Sequence, residues 1–157
     1  MASAGNRKKH ILIIVENAPV PLDQRVWGEA KALLNNNYDV TVICPKGITY
    51  NDTYEYKEGV HIYRHSVPRG EESIIGYLKE YFVAMFWEWF LSFRLFIRKP
   101  FDVIHASNPP DNIFLIGIFY KLLGVKFIFD QHDLTPEQYL AKFGCLNFQK
   151  AKITQNL

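Results

Sequence analysis

The residues best suited to chemistry fall in three short segments of the sequence. His132 stands between Asp130 and Asp133, and Glu137 follows. An imidazole beside carboxylates can be oriented and held partly protonated, which suits hydrogen bonding to a sugar hydroxyl or general acid–base transfer. Asn108 and Asp111 flank Pro109-Pro110, and Glu16-Asn17 is followed by Arg25. Each polar group also has a plain structural reading. Asn108 or Asp111 could cap the helix that the prolines open, and Asp133 could cap a helix near Pro136. Of the five histidines, His61 and His65 share a strand face with Tyr63, and His105 lies inside a strand; these read as packing or edge positions. No histidine pair has metal-site spacing with a carboxylate, so no metal is expected.

Such groups act together only if the chain brings them together, and the apolar pattern provides for that. Ile11 to Val15 and Val40 to Cys44 are continuous apolar runs, the signature of strands covered on both faces. Between them Leu22, Val26, Ala30 and Leu33, with Trp27 and Leu34, mark an amphipathic helix closed by Asn35-Asn36-Asn37. Tyr54 to Tyr56 and Val60 to His65 alternate around Glu58-Gly59, as a hairpin or edge strand does. A long helix is predicted over 73–98, a strand over 103–106, a helix from Pro109 to Gly124 and a last strand over 125–129. Strands alternating with helices predict an α/β fold with a doubly wound, mostly parallel, Rossmann-like sheet. In such sheets ligands collect beyond the carboxyl ends of the strands, and all three polar segments follow strands.

The helix around Tyr77 to Lys99 is unusually aromatic. At 100° per residue, Leu78, Phe82, Met85, Phe86, Trp89, Phe93, Phe96 and Ile97 form the stripe expected to pack on the sheet. Trp87, Leu91 and Leu95 form a second line, interleaved with Arg94 and Arg98, on the roughly opposite side. Spanning a bilayer would bury Glu88 and Arg94, at about 2.5–3.5 kcal/mol for a charge like arginine. Two readings remain: a core helix with a few exposed apolar residues, or an interfacial helix in which Trp87, Leu91 and Leu95 touch lipid or a partner while Arg94 and Arg98 meet anionic headgroups.

Composition excludes several classes of function. The 157 residues are 48% hydrophobic and 15% aromatic, enough for one real core, and a net charge of +2 gives no basic surface for nucleic acid. Two isolated cysteines make neither a disulfide framework nor a zinc spacing, so a cytoplasmic setting is expected. Residues 1–9 read as a flexible basic leader, 10–144 as the domain and 145–157 as an irregular or truncated tail. The turn after the first strand lacks the glycines of a dinucleotide fingerprint, and there is no phosphate loop or nucleophile elbow.

Three blocks carry a family resemblance: Val15-Glu16-Asn17-Ala18-Pro19-Val20-Pro21-Leu22-Asp23-Gln24-Arg25-Val26-Trp27, the run from Asp102 to Asp111, and Phe129-Asp130-Gln131-His132-Asp133-Leu134-Thr135-Pro136-Glu137. Together and in this order they resemble the amino-terminal domain of family-4 glycosyltransferases of the GT-B fold, in the bacterial branch that builds capsule, O-antigen and exopolysaccharide. The resemblance implies two Rossmann-like domains facing across a cleft. The first handles a lipid-linked or glycan acceptor, and the second, absent here, grips the nucleotide-sugar donor. It implies transfer with retained anomeric configuration, no cofactor and no metal. By motif, His132 matches the family histidine that hydrogen-bonds the donor sugar, with Asp133 beside it. Asn108 and Arg25 line the cleft, together with Glu16, Asn17 and Asp111. Where many members carry a Gly-Gly pair after the first strand, this chain has Pro21-Leu22-Asp23, so phosphate contact by that loop is not expected. Without a second domain the chain is expected to be inactive. The competing reading is a non-catalytic glycan- or membrane-binding module.

Overall fold

The computed structural model describes residues 7–67, 74–107 and 111–131. The first strand, β1 (His10–Ile14), is buried at every position, as a strand covered on both faces must be. It runs parallel between β2 (Asp39–Pro45) and β5 (Val103–Ser107), with Ile13 level with Val42 on one side and His105 on the other. Beyond β2 lies parallel β4 (Val60–His65), and beyond β5 lies parallel β6 (Lys126–Asp130). The edge strand β3 (Tyr54–Lys57) pairs antiparallel with β4 through a turn in which Glu58 and Gly59 take φ of 47° and 90°. The order is therefore β3-β4-β2-β1-β5-β6. Successive strands build outward from β1 through β2 and β4, then return to the other side of β1 at β5. The order reverses between β1 and β5.

Helix α1 (Gln24–Asn35) covers one sheet face. The Asp23 carboxylate accepts from the Arg25 and Val26 amides at 3.2 and 3.1 Å, and the far end is closed by Asn37 at φ 65°. Val26, Trp27 and Ala30 pack there on Ile11, Ile13, Val40 and Val42. Helices α2 (Ile74–Arg98) and α3 (Phe114–Leu122) cover the other face, over Leu12, Ile14, Ile43 and Ile104. A single 3-10 turn, Asp111–Ile113, leads into α3, and Gly124 at φ 85° ends it. Tyr120 is the hub of this second core: its ring lies 5.0 Å from Phe101 and 5.3 Å from Phe96, and its hydroxyl donates to Ser92 Oγ at 3.1 Å. The expected doubly wound, mostly parallel α/β fold is what forms.

The rotation of α2 overturns one expectation. Phe82, Phe86, Phe93 and Ile97, expected to pack on the sheet, face solvent with 74%, 63%, 47% and 67% exposure. Leu95, on the line that an interfacial helix would turn to lipid, is buried in the second core, and Leu91 packs against it. Trp87 is half-buried, while Arg94 and Arg98 are exposed. The inward line is instead Ala84, Glu88, Ser92 and Leu95. Small side chains at Ala84 and Ser92 let the helix come close to the sheet. Trp89 and Phe96 fill the flank, where Trp89 meets Phe119 at 4.6 Å and Phe96 meets Phe101 at 5.0 Å. With apolar residues on nearly every side, the hydrophobic pattern alone does not select the inner face.

Candidate functional site

Strand order reverses between β1 and β5, and the carboxyl edge of the sheet at such a reversal is the usual ligand position in an open α/β sheet. Val15 extends β1 by donating its amide to Ile43 O at 3.0 Å, and side-chain alternation then turns Glu16 toward the α2 face. Across the reversal stands Ser107, whose buried hydroxyl has no partner among the described residues.

The loop that carries Glu16 and Asn17 is held from beneath. Buried Arg64 donates through Nη2 to Val20 O at 2.7 Å and to the Glu55 carboxylate, and its guanidinium lies over Tyr50 at 5.4 Å. The Val20 amide points at Cys44 Sγ, 3.4 Å away. Burial pushes the Cys44 thiol up to about 11, so it is a packed core group rather than a nucleophile.

Two carboxylate–histidine clusters stand at this edge. On the α2 face Glu16, His65 at the end of β4 and Glu88 from the middle of α2 bring one ligand-type atom each within 4.8 Å of one another. Glu88 is fully buried. Burial first, and the charge of Glu16 second, hold its carboxyl well above the ordinary range. On the α1 face His105 of β5 lies between Glu29 of α1, 3.8 Å from Nδ1, and Asp130 at the end of β6, 3.6 Å from Nε2. The ring thus has a carboxylate near each nitrogen, at distances longer than a hydrogen bond. A cavity of about 320 Å³ opens beside His65, lined by Lys46, Tyr63, Arg64, Trp87, Leu91 and Arg94. A larger one, about 640 Å³, lies at the opposite, amino edge around Lys9, Asp102 and Lys126, away from these clusters.

Residues 22–150, most of the chain, match the family described as Glycosyl transferase 4-like domain. The chain belongs to that family. No curated protein matches it in sequence. Among solved structures it is similar to two crystallised forms of the C-terminal domain of a hydrogenase from Pyrococcus furiosus. One is 18% identical with a TM-score of 0.61, covering 78% of this chain and 90% of that one. The other is 17% identical with a TM-score of 0.58, covering 84% and 98%. At such identities the likeness is one of fold.

In this glycosyltransferase 4-like domain, Glu16 and Asn17 sit together at the reversal edge, and Arg25 is exposed in the first turn of α1. Asp111 begins the 3-10 turn before α3. His132, Asp133 and Asn108 lie outside the described residues. Sequence reasoning set His65 and His105 aside as packing positions, yet both stand beside carboxylates brought from distant elements. Glu88 was seen only as a charge opposing a membrane span. Its signal was available: one carboxylate in the middle of an aromatic helix, on the line of small residues Ala84 and Ser92. Arg64 carried no sequence signal beyond a charge in a buried strand.

Proposed function

We propose that this domain is the acceptor-side half of a retaining glycosyltransferase that moves a sugar from a nucleotide-sugar donor to a lipid-linked or glycan acceptor in bacterial polysaccharide assembly. The reading is carried by the reversal of strand order between β1 and β5, with Glu16 and Asn17 at one strand end and Ser107 at the other. In the assembled enzyme a second Rossmann-like domain faces this edge and holds most of the donor. His132 hydrogen-bonds the donor sugar near its anomeric carbon, with Asp133 beside it. Glu16, Asn17, Arg25, Asn108 and Asp111 line the acceptor side. The test is transfer of labelled sugar by the chain joined to its nucleotide-sugar-binding domain. His132→Ala abolishes transfer with an unchanged circular-dichroism spectrum, and turnover at the unsubstituted rate would remove His132 from the mechanism.

A peripheral seat on the cytoplasmic membrane face belongs to the same reading, carried by the corrected face of α2. Phe82, Phe86, Phe93 and Ile97 face outward, with Lys79, Arg94 and Arg98 exposed on the same helix. That pairing of aromatic line and cations suits the boundary between acyl chains and anionic headgroups. Among the described residues no helix is long and apolar enough to cross a membrane. In flotation with anionic liposomes, Phe82→Ser with Phe86→Ser releases the protein; binding that survives the pair excludes this face. Flotation without transfer, once both domains are present, identifies the non-catalytic membrane module instead.

A further inference from the structure

We propose that Glu16, His65 and Glu88 form a binding site for one divalent cation of the zinc class, which pins α2 to the loop after β1. Three elements that share no sequence proximity each deliver one oxygen or nitrogen to a cluster whose atoms lie within 4.8 Å of one another. Among the described residues, both carboxylate oxygens of Glu88, both ring nitrogens of His65 and Oε2 of Glu16 lack a hydrogen-bond partner of good geometry, although the Glu88 carboxyl lies close enough to Glu16 to share a proton with it. Leaving so many buried polar atoms unpaired costs about 1–3 kcal/mol each, more for charged ones. A cation held by one atom from each residue would answer the three that converge, one each from Glu16, His65 and Glu88.

The spacing fits an ion better than a hydrogen bond. Glu16 Oε2 lies 3.3 Å from His65 Nε2, and yet the two are not aligned as donor and acceptor. Two ligand atoms held about 2.0–2.2 Å from a tetrahedral zinc ion stand about 3.4 Å apart. Two carboxylates and one neutral imidazole are also the borderline donor set that such ions take, and the two negative charges cancel the ion's two positive ones. The neighbouring guanidinium does not intrude. Arg64 precedes His65 on β4, so its side chain is turned to the other sheet face, where it pairs with Glu55. An ion here would fix the rotation of α2, because Glu88 is the buried centre of its inward line.

The experiment uses the full chain, stripped with a chelator and dialysed, then titrated calorimetrically with ZnCl₂. One equivalent binds, the melting temperature rises with zinc, and Co²⁺ in its place gives visible d–d absorption. Glu88→Gln and His65→Ala each weaken binding at least tenfold, while Glu29→Gln, in the other cluster, leaves it unchanged. No uptake overturns the proposal and leaves Glu16 and Glu88 as a carboxyl pair sharing a proton. Uptake that Glu88→Gln does not weaken overturns it equally, by placing the ion elsewhere. If the variants fail to fold, X-ray absorption of the zinc-loaded, unsubstituted chain decides: one imidazole with oxygen ligands supports the site, and a shell without imidazole refutes it.

Discussion

Arg64→Met tests how the cleft loop is held. The guanidinium is buried, and it supplies the Val20 carbonyl with a 2.7 Å hydrogen bond and Glu55 with its main countercharge. Methionine keeps most of the apolar stem and removes every donor. Val20 O is then a buried acceptor without a charged donor, a loss of about 1.5–3 kcal/mol. Breaking a fully buried ion pair by removing one partner costs about 3–5 kcal/mol. Glu55, though, is 29% exposed and keeps Lys57 at 3.7 Å, so water and that lysine absorb part of the second loss. Together the substitution should cost about 2–4 kcal/mol, a large share of a domain's usual 5–15 kcal/mol. Urea unfolding followed by tryptophan fluorescence measures it, and a cycle with Glu55→Gln isolates the pair. Hydrogen exchange adds a local readout, because the Val20 amide against Cys44 should lose protection as the loop loosens. A cost below about 0.5 kcal/mol, or strictly additive single and double variants, would show that Arg64 is only packed there and that the loop is held by other means.

Three further substitutions probe the scaffold. A methyl group at Gly117, on the face of α3 against β6, would stand 2.5 Å from the Phe127 ring. Gly117→Ala therefore destabilises by about 1–3 kcal/mol in urea despite a helix-propensity gain of about 1 kcal/mol; a stabilised variant would contradict that packing. Tyr120→Phe loses only the hydroxyl's bond to Ser92, about 1 kcal/mol, whereas Tyr120→Ala opens a cavity worth about 3–5 kcal/mol; equal costs would show that the ring is not the hub. His10 is held below its ordinary 6.5 by burial first and by Lys99 second. The unfolded chain thus binds the extra proton more readily, so this contribution is complete above about 6.5 and is lost as pH falls below it, with a slope of at most about 1.4 kcal/mol per pH unit. His10→Gln should flatten that slope in denaturation curves at successive pH values, and an unchanged slope would clear His10.

The fold was legible because its signals are local and redundant. Continuous apolar runs marked β1 and β2, Asn37 and Gly124 take the left-handed conformations that end α1 and α3, and Glu58-Gly59 makes the β3–β4 turn. The place of Glu16 and Asn17 at the carboxyl edge of the sheet was legible because a strand end fixes the edge at which its loop emerges. His65 and Glu88 were not. The position of His65 opposite Glu16 depends on the β4–β2 register, which sets Tyr63 level with Ile43 and His65 level with Pro45. That of Glu88 depends on how far α2 is turned about its own axis. Period-3.6 patterning selects a face only when one side is polar, and on α2 both sides are apolar. The expected stripe was accordingly only partly right: Trp89 and Phe96 pack on the core, while Phe82, Phe86, Phe93 and Ile97 do not.

The turn of α2 connects the two ends of the structural reasoning. Rotating it half a turn would bury Phe82, Phe86, Phe93 and Ile97, each worth about 1.5–3 kcal/mol relative to full exposure. The helix instead buries Ala84, Glu88, Ser92 and Leu95, with Trp89, Leu91 and Phe96 at the flanks, a face that includes one carboxyl costly to desolvate. In the proposed reading the outer aromatics would meet an apolar phase and the inner carboxyl a cation, each contact offsetting the cost of its half of the arrangement. If both proposals hold, one helix orientation would link the proposed membrane seat, the proposed ion site and the loop that begins with Glu16, and a ligand that orders one of the three should raise affinity at the others.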